Sequence, residues 1–332
     1  MNKNLYLALL ATVTISCKSG DIASNKDQVA QEYSKTITAS DLKKHLYTLA
    51  DDKMEGRDTG EPGQKMAAEY IKAFYMENQI PSPLGQEDYF QEIPSSFLRG
   101  RAKATENVLA FIEGSETPEE ILVVSAHYDH VGMKGGQIYN GADDDASGTS
   151  AVMEIAQAFR IAKLNGHGPK RSILFIHMTA EEKGLFGSKW YVSHPVFPLQ
   201  NTIANLNIDM IGRVDSAHDS NPNYIYLIGS DKLSDDLHDL SEKANKDYVN
   251  LELDYTYNAD DDPNRFYFRS DHYNFAVNNI PVIFYFNGVH EDYHEPTDTA
   301  DKIDYPLLEK RTKLVFFTAW NLANGEKRPE LN

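Results

Sequence analysis

Short apolar runs alternate with amphipathic segments along this chain, and this alternation most constrains how it folds. Apolar runs suited to buried strands lie at 107–112, 121–126, 172–178, 204–208, 224–228 and 281–286. Segments whose apolar residues recur at helical spacing lie at 42–50, 64–79, 147–164, 185–192, 232–245, 271–278 and 305–323. Continuous apolar runs are typical of strands that are buried on both faces of a parallel sheet. The pattern predicts an α/β fold with a mostly parallel, doubly wound central sheet, flanked by helices and with antiparallel strands near its edge.

The chain has 332 residues and no internal repeat, and this length allows one large α/β domain. Residues 81–105 are rich in Pro, Ser and Gly, and we expect them to be irregular. We predict a single catalytic domain over residues 38–326.

The N-terminus is typical of an exported protein. An apolar run at 5–15 follows Lys3 and ends at Ser16-Cys17, and it is too short to span a bilayer, which takes about 20 residues. It therefore indicates the apolar part of a secretory signal. A small residue directly before the only cysteine resembles a bacterial lipoprotein signal, in which Cys17 is lipidated and becomes the new N-terminus. We expect a signal peptide over 1–17, a flexible tether over 18–37 and a periplasmic or cell-surface lipoprotein. An ordinary signal peptide with an incidental cysteine is the alternative.

The charge balance limits the partners that this protein can have. Lys and Arg number 32 against 50 Asp and Glu, which gives a formal net charge of −18. A protein that grips nucleic acid needs a surplus of positive charge, so we expect no nucleic-acid partner. We expect contact with a membrane only through the lipid anchor, and a monomer.

Asp, Glu and His cluster where the predicted strands end. The clusters lie at 127–130, 140–148, 179–184 and 207–212, and a further one lies at 290–298. Any one of these residues would ordinarily be a helix cap or a surface residue. Ligands of open α/β sheets bind beyond the carboxyl ends of the strands, however, and all the early clusters fall there. Imidazole and carboxylate donors without a competing cysteine suit zinc or a similar divalent ion, so the sequence predicts a metal site.

Five ordered motifs resemble the zinc aminopeptidases of peptidase family M28, which are two-metal exopeptidases. They are His127-Tyr-Asp129, Gly141-Ala-Asp-Asp-Asp-Ala-Ser-Gly148, Glu181-Glu-Lys-Gly-Leu-Phe-Gly-Ser188, Asn207-Ile-Asp209-Met and Tyr293-His-Glu-Pro-Thr-Asp298. The loop 56–63 and Ser270-Asp-His272 also look like family features, and the resemblance covers residues 42–323. It implies an exopeptidase that hydrolyses the N-terminal peptide bond of peptides with a free N-terminus. The reagent would be a hydroxide that bridges two zinc ions.

The resemblance also implies which residues hold the two zinc ions. The family's ligands match His127, Asp144, Glu182, Asp209 and His294. Asp144 would bridge the ions, His127 and Asp209 would complete one site, and Glu182 and His294 would complete the other.

Three further residues match family positions beside the metal. Glu181 matches the general base, and Asp129 matches a carboxylate that accepts the second N–H of His127. Tyr293 matches a tyrosine that donates a hydrogen bond to the reaction oxyanion. We expect His130 only to line the pocket and His272 to support the site structurally.

Two other functions are alternatives to the two-metal hydrolase. A glutaminyl-cyclase-like acyltransferase would use one zinc and keep Asp144, Glu182 and His294 while the second metal site degenerates. The presence of both His127 and Asp209 favours the two-metal hydrolase. A lipoprotein that only binds peptides would have lost ligands or the base, and none is missing here. The sequence leaves open whether the enzyme is an aminopeptidase or a dipeptidase.

Overall fold

The computed structural model describes residues 28–332, and an eight-stranded sheet forms their centre. The strands are β1 (Phe90–Ile93), β2 (Thr105–Ile112), β3 (Thr117–His127), β4 (Met133–Lys134), β5 (Gln137–Ile138), β6 (Arg171–Met178), β7 (Thr202–Ile208), β8 (Tyr224–Ile228), β9 (Glu252–Asp254) and β10 (Val282–Phe286). The sheet order is β1-β2-β6-β3-β7-β10-β8-β9, and β4 and β5 form a separate hairpin. The four central strands, β6, β3, β7 and β10, are parallel, whereas β1, β2 and β8 run antiparallel to their inner neighbours. The predicted mostly parallel sheet with antiparallel strands near its edges is confirmed.

Helices flank this sheet. They are α1 (Ala39–Leu49), α2 (Pro62–Glu77), α3 (Gly148–Leu164), α4 (Phe186–Ser193), α5 (Asp235–Ala244), α6 (His272–Ala276) and α7 (Tyr305–Asn324). Side-chain N-caps determine where several of these helices begin. The side chains of Thr38, Ser234 and Asp304 accept hydrogen bonds from the first turns of α1, α5 and α7. Across residues 28–332, none of the helices combines the length and the apolar character needed to span a bilayer.

The structure adds short strands that the sequence pattern does not predict. β1 lies within the stretch 81–105 that we expected to be irregular, and it pairs antiparallel with β2. β9 pairs with β8 over three residues. Both are edge strands that expose part of their length, so neither needs the apolar run that marks a central strand.

The expected flexible tether is wrong for the part of it that the structure describes. Residues 28–34 are helical, and Ala30, Tyr33 and Ile37 are buried in the main core. Tyr33 forms a 2.8 Å hydrogen bond with His167 and stacks on Trp320. The folded unit therefore includes residues before 38. The predicted signal peptide, the lipidated Cys17 and residues 18–27 of the tether lie outside the described residues.

A buried arginine joins the loops at the carboxyl ends of the central strands. Arg57, from the loop 56–63, is fully buried and donates hydrogen bonds only to main-chain carbonyls. Its Nε bonds to Tyr128 O at 2.8 Å, and its Nη2 bonds to Gly141 O at 2.8 Å. Its Nη1 reaches Leu49 O at 2.7 Å and Asn140 O at 2.6 Å. One guanidinium therefore fixes both the end of β3 and the turn that precedes α3.

A second buried arginine, Arg311, also binds main-chain carbonyls of separate segments. Arg311, on α7, donates from Nε to Tyr224 O at 2.9 Å. Its Nη1 donates to Ile211 O at 2.9 Å and to Arg213 O at 2.6 Å. The loop that follows β7 is thereby tied to the C-terminal helix.

Replacing Arg57 by Met should destabilise the protein by about 3 kcal/mol or more, because several buried carbonyls lose a charged donor together. The free energy of unfolding from urea titrations followed by circular dichroism measures this. Arg99→Met removes an exposed arginine and should change stability by less than about 0.5 kcal/mol. Equal effects of the two substitutions would contradict this account of Arg57.

Candidate metal centre

The predicted ligands converge at the carboxyl ends of the central strands. His127 is the last residue of β3, Glu182 follows β6 and Asp209 follows β7. Asp144 lies in the turn Ala142–Ser147 before α3, and His294 lies in the loop after β10. The structure brings all five together around one cleft, at the edge of the sheet where the topology predicts a ligand site.

Asp144 lies between two groups of these side chains. Its Oδ1 is 3.2 Å from His127 Nε2, and its Oδ2 is 2.9 Å from His294 Nε2. His127 Nε2 also lies 3.5 Å from Asp209 Oδ1, and His294 Nε2 lies 3.0 Å from Glu182 Oε1. The two oxygens of one carboxylate therefore face two sets of potential ligands, as a bridging role requires.

Ligand atoms gather in two groups that could each hold an ion. His130, Asp144, Glu182 and His294 form one group and His127, Asp145 and Asp209 the other, with the atoms of each group within 4.8 Å of one another. Asp145 Oδ1 already accepts hydrogen bonds from Gly148 N and Met210 N. Since Asp145 supports the loops in this way, Asp144 is the better candidate for the carboxylate that both groups share.

His130 lies closer to the centre than the sequence led us to expect. Its Nδ1 is 3.0 Å from Glu182 Oε1 and 3.6 Å from Asp144 Oδ2. Both ring nitrogens of His130 and Oε1 of Glu182 are buried without a hydrogen-bond partner among the described residues. Buried polar atoms without partners are rare and costly, and a cation among them would satisfy the carboxylate and one ring nitrogen. The donor set therefore fits zinc. The signal for His130 was its place in the run His127-Tyr-Asp-His130.

Asp129 supports the site differently from the prediction. His127 Nδ1 lies 3.0 Å from the main-chain oxygen of Asp129, whereas the Asp129 carboxylate is 3.8 Å away. The turn at the end of β3 thus presents a carbonyl to the imidazole, and the expected carboxylate contact is wrong. That carboxylate instead accepts hydrogen bonds from Thr59 Oγ1 at 2.6 Å and from Glu181 N at 3.1 Å. Asp129 therefore orients both His127 and the main chain of Glu181.

In the metal-free chain the pKa values of His294 and Glu181 are both raised. Burial would lower the pKa of His294, but contacts with Asp144 and Glu182 outweigh it and raise the pKa to about 10. Burial raises the pKa of Glu181 well above its usual range, and the neighbouring Glu182 and Asp209 add to this although His127 opposes it. Glu181 is therefore the carboxylate of the cleft best suited to taking up a proton.

The turn that carries Asp144 is fixed by other residues of the motifs. The Asp298 carboxylate accepts hydrogen bonds from Asp143 N at 3.0 Å and from Asp144 N at 3.2 Å. The Asp143 carboxylate lies 3.1 Å from His290 Nε2, although sequence reasoning gave His290 no role. Gly141 has a φ of 55°, and a Cβ there would lie 2.2 Å from Asp144 O. Only glycine fits this position.

A narrow cleft opens over the ligands. Its remaining walls are formed by Met210, Phe266, Arg269, Phe284, Phe286, Val289 and Tyr293. The Tyr293 ring stacks on His294 with centroids 4.0 Å apart. Burial, with Asp144 and Glu182 nearby, raises the pKa of Tyr293, so its hydroxyl keeps its proton and can donate a hydrogen bond.

Two regions beside the cleft support it. His272 is fully buried, and its ring stacks on Phe284 at 4.8 Å; burial lowers the pKa of His272 to about 3, so the ring stays neutral. The second region is the loop around Asp262, whose side chain is buried. Its carboxylate accepts hydrogen bonds from Asn264 N and Phe266 N and so fixes the wall residue Phe266.

Comparisons with known proteins show the family and the fold of this chain. The model of "Peptidase family M28" matches residues 107–319. Leupeptin-inactivating enzyme 1 of Streptomyces exfoliatus is 26% identical over 317 residues, which cover 88% of this chain and 64% of that protein. The LapA aminopeptidase structure from Legionella pneumophila superimposes with a TM-score of 0.69 at 20% identity, covering 97% of this chain and 81% of that one. BSAP, a zinc aminopeptidase from Bacillus subtilis, gives a TM-score of 0.66 at 17% identity, covering 88% of this chain and 96% of that one. The chain spans less than two thirds of the length of the first curated relatives that it matches.

Zinc binding should release protons, because zinc binds neutral imidazole and His294 holds a proton at pH 7 in the metal-free chain. The apparent affinity should fall as the pH falls below about 10, by about tenfold per pH unit for each proton displaced. Titration calorimetry in buffers of different ionisation enthalpy counts these protons. His294→Gln should release fewer, and His194→Gln, which changes an exposed histidine, should release the same number as the parent. Binding without proton release would contradict the assignment of His294.

Proposed function

The chain belongs to peptidase family M28, and on this basis we propose that it is a zinc metallopeptidase that hydrolyses the N-terminal peptide bond of peptides. The observation that carries the proposal is the position of Asp144. Its two carboxylate oxygens lie 3.2 Å from His127 Nε2 and 2.9 Å from His294 Nε2. A carboxylate shared between two complete groups of ligands supports two ions per chain.

His127 and Asp209 would hold one zinc ion, Glu182 and His294 the other, and Asp144 both, with His130 placed to join the second group. When bound, two such ions would lower the pKa of a shared water, which we propose to be the bridging hydroxide, and would polarise the scissile carbonyl. The main-chain oxygen of Asp129 lies 3.0 Å from Nδ1 of His127 and would accept its proton, which would leave the lone pair of Nε2 for a metal ion.

Glu181 would move the proton in this reaction. It lines the cleft beside the ligand Glu182, and the Asp129 carboxylate holds its main chain. Burial raises its pKa in the metal-free chain, and two bound cations would lower that pKa again, so that Glu181 would be a carboxylate able to take up the proton that the attacking water loses. The same carboxyl group then returns that proton to the amine that leaves when the C–N bond breaks. Tyr293 would donate its hydroxyl hydrogen to the oxygen on which negative charge develops.

The walls of the cleft support a preference at the first residue of the peptide. Phe266, Phe284, Phe286 and Met210 give one side of the cleft an apolar surface. An apolar side chain loses little by entering such a surface, whereas a charged one loses its hydration. We therefore propose substrates whose N-terminal residue is large and apolar.

Two measurements distinguish this hydrolase from the alternative functions. A glutaminyl-cyclase-like acyltransferase would bind one zinc ion, and metal analysis that gives one ion per chain would favour it. A peptide-binding lipoprotein would bind peptides without hydrolysing them. Export and anchoring through Cys17 stay part of the proposal, supported by the apolar run at 5–15 that precedes Ser16-Cys17.

Glu181→Gln should keep two zinc ions but lower kcat by about a thousandfold, because an amide cannot take up the proton. Elemental analysis and hydrolysis of leucine p-nitroanilide on the same preparation measure both quantities. Glu77→Gln, which alters an exposed glutamate at the end of α2, is the matched control and should keep parental activity. Full turnover by the Glu181 variant would refute the assigned base.

A panel of aminoacyl nitroanilides should show the proposed preference directly. Leu, Met and Phe derivatives should exceed Asp and Lys derivatives by about tenfold or more in kcat/KM, as burial of a large apolar side chain implies. N-acetylated derivatives should not be cleaved, and a chelator should abolish all hydrolysis. Cleavage of the blocked substrates at comparable rates would exclude an aminopeptidase.

A further inference from the structure

Arg269 is a cation that faces the metal cleft without a counter-ion. It follows the turn Phe266–Phe268 directly, its side chain is exposed and it lines the cleft. No carboxylate within residues 28–332 forms an ion pair with it. The protein carries a net charge of −18, and the cleft itself is lined by Asp144, Glu181 and Asp209. An arginine left unpaired in such surroundings has free donors for a ligand.

Two contacts hold the guanidinium at the cleft. Its Nη2 donates to Tyr293 Oη over 3.4 Å, and its central carbon lies 4.8 Å from the centroid of the Phe266 ring. Stacking on the aromatic face leaves the edge donors of the planar guanidinium available. The guanidinium thus lies next to the hydroxyl that we assign to the reaction oxyanion.

We propose that Arg269 binds the C-terminal carboxylate of a dipeptide and so selects dipeptides with an apolar first residue. This inference rests on the proposed function. In a dipeptide the carboxylate follows the scissile carbonyl by one residue, a step of about 3.8 Å along the chain. Tyr293 Oη and Arg269 Nη2 are neighbours, 3.4 Å apart, so two substrate groups that are one residue apart can each contact one of them. The fork of an arginine can pair with both oxygens of a carboxylate, which gives it geometric selectivity.

Other substrate groups fit Arg269 less well. The internal carbonyl of a longer peptide carries no charge and accepts a weaker hydrogen bond than a carboxylate. An acidic first side chain would have to lie against the apolar surface of Phe284 and Phe286, where a carboxylate is costly. The terminal carboxylate of a dipeptide reaches the arginine and leaves the apolar surface to the first side chain.

The test compares Leu-Ala with its amide, with Leu-Ala-Ala and with Glu-Ala, using the zinc-loaded protein. Arg269→Met should lower kcat/KM for Leu-Ala by about tenfold, mainly through KM, because one charge-assisted contact is lost. For the amide and the tripeptide the change should stay below about twofold. Arg269→Lys should restore part of the activity on Leu-Ala, since it keeps the charge but loses the fork.

Arg265→Met is the matched control. Arg265 lies in the same segment and stacks on Phe268 at 4.9 Å, but it does not line the metal cleft. Its removal changes the net charge by the same amount and should leave all four substrates unaffected.

Four results would overturn the proposal. Equal losses on Leu-Ala and its amide would show that Arg269 acts through Tyr293 on the oxyanion. A loss confined to Glu-Ala would place an acidic first side chain at the arginine. Parental kinetics in Arg269→Met, with the parent cleaving all four substrates, would remove the inference and leave the proposed function standing. A zinc-loaded parent that cleaves none of the four would remove the proposed function, and the inference with it.

Discussion

The shared carboxylate of Asp144 is the constraint on which the rest of the structure depends. Four acidic side chains, Asp144, Glu181, Glu182 and Asp209, line or adjoin one cleft, and like charges at such distances repel strongly where water is excluded. Only cations placed among these carboxylates offset that repulsion. In the metal-free chain protonated histidines provide that charge, as the raised pKa of His294 shows. The ligand geometry is therefore stable only where metal ions or protons offset the repulsion among these carboxylates. The loops that carry the ligands must also keep their main chain in position against that repulsion.

The two buried arginines, Arg57 and Arg311, explain how short loops can hold the ligands in position. Loops have few apolar contacts, and their carbonyls need partners once they are buried. Arg57 satisfies carbonyls of three separate segments, and Arg311 ties the loop after β7 to α7. A charged donor in a buried site makes stronger hydrogen bonds than a neutral one. Asp298 completes the support, because it fixes the main-chain N–H groups of Asp143 and Asp144. These hydrogen bonds therefore hold in place the main chain of the loops that carry the ligands.

The sequence predicted the central elements well because burial on both faces of a sheet demands continuous apolar runs. β8 has the predicted bounds, β2, β3, β6 and β7 extend beyond the predicted runs, and β10 begins one residue later than predicted. β1 and β9 escaped prediction because edge strands are not marked by such runs. His130 was missed as a potential ligand because only the fold shows that its Nδ1, which has no hydrogen-bond partner among the described residues, lies beside Glu182. The Asp129 contact was misjudged because the turn after β3, and not the side-chain alternation of a strand, decides which oxygen meets His127.

The overall charge and the local charge of this protein act at different ranges. A net charge of −18 repels anionic substrates at long range, but salt screens that field beyond about 8 Å at physiological ionic strength. Inside the cleft, screening is weaker and individual groups decide what binds. There the apolar surface of Phe284 and Phe286 lies on one side, and Tyr293 with Arg269 lies on another. A dipeptide with an apolar first side chain and a terminal carboxylate matches both surfaces, and its ammonium offsets its carboxylate, so the net charge of the protein does not repel it at long range. Selectivity in this cleft therefore follows from the placement of one arginine rather than from the composition of the chain.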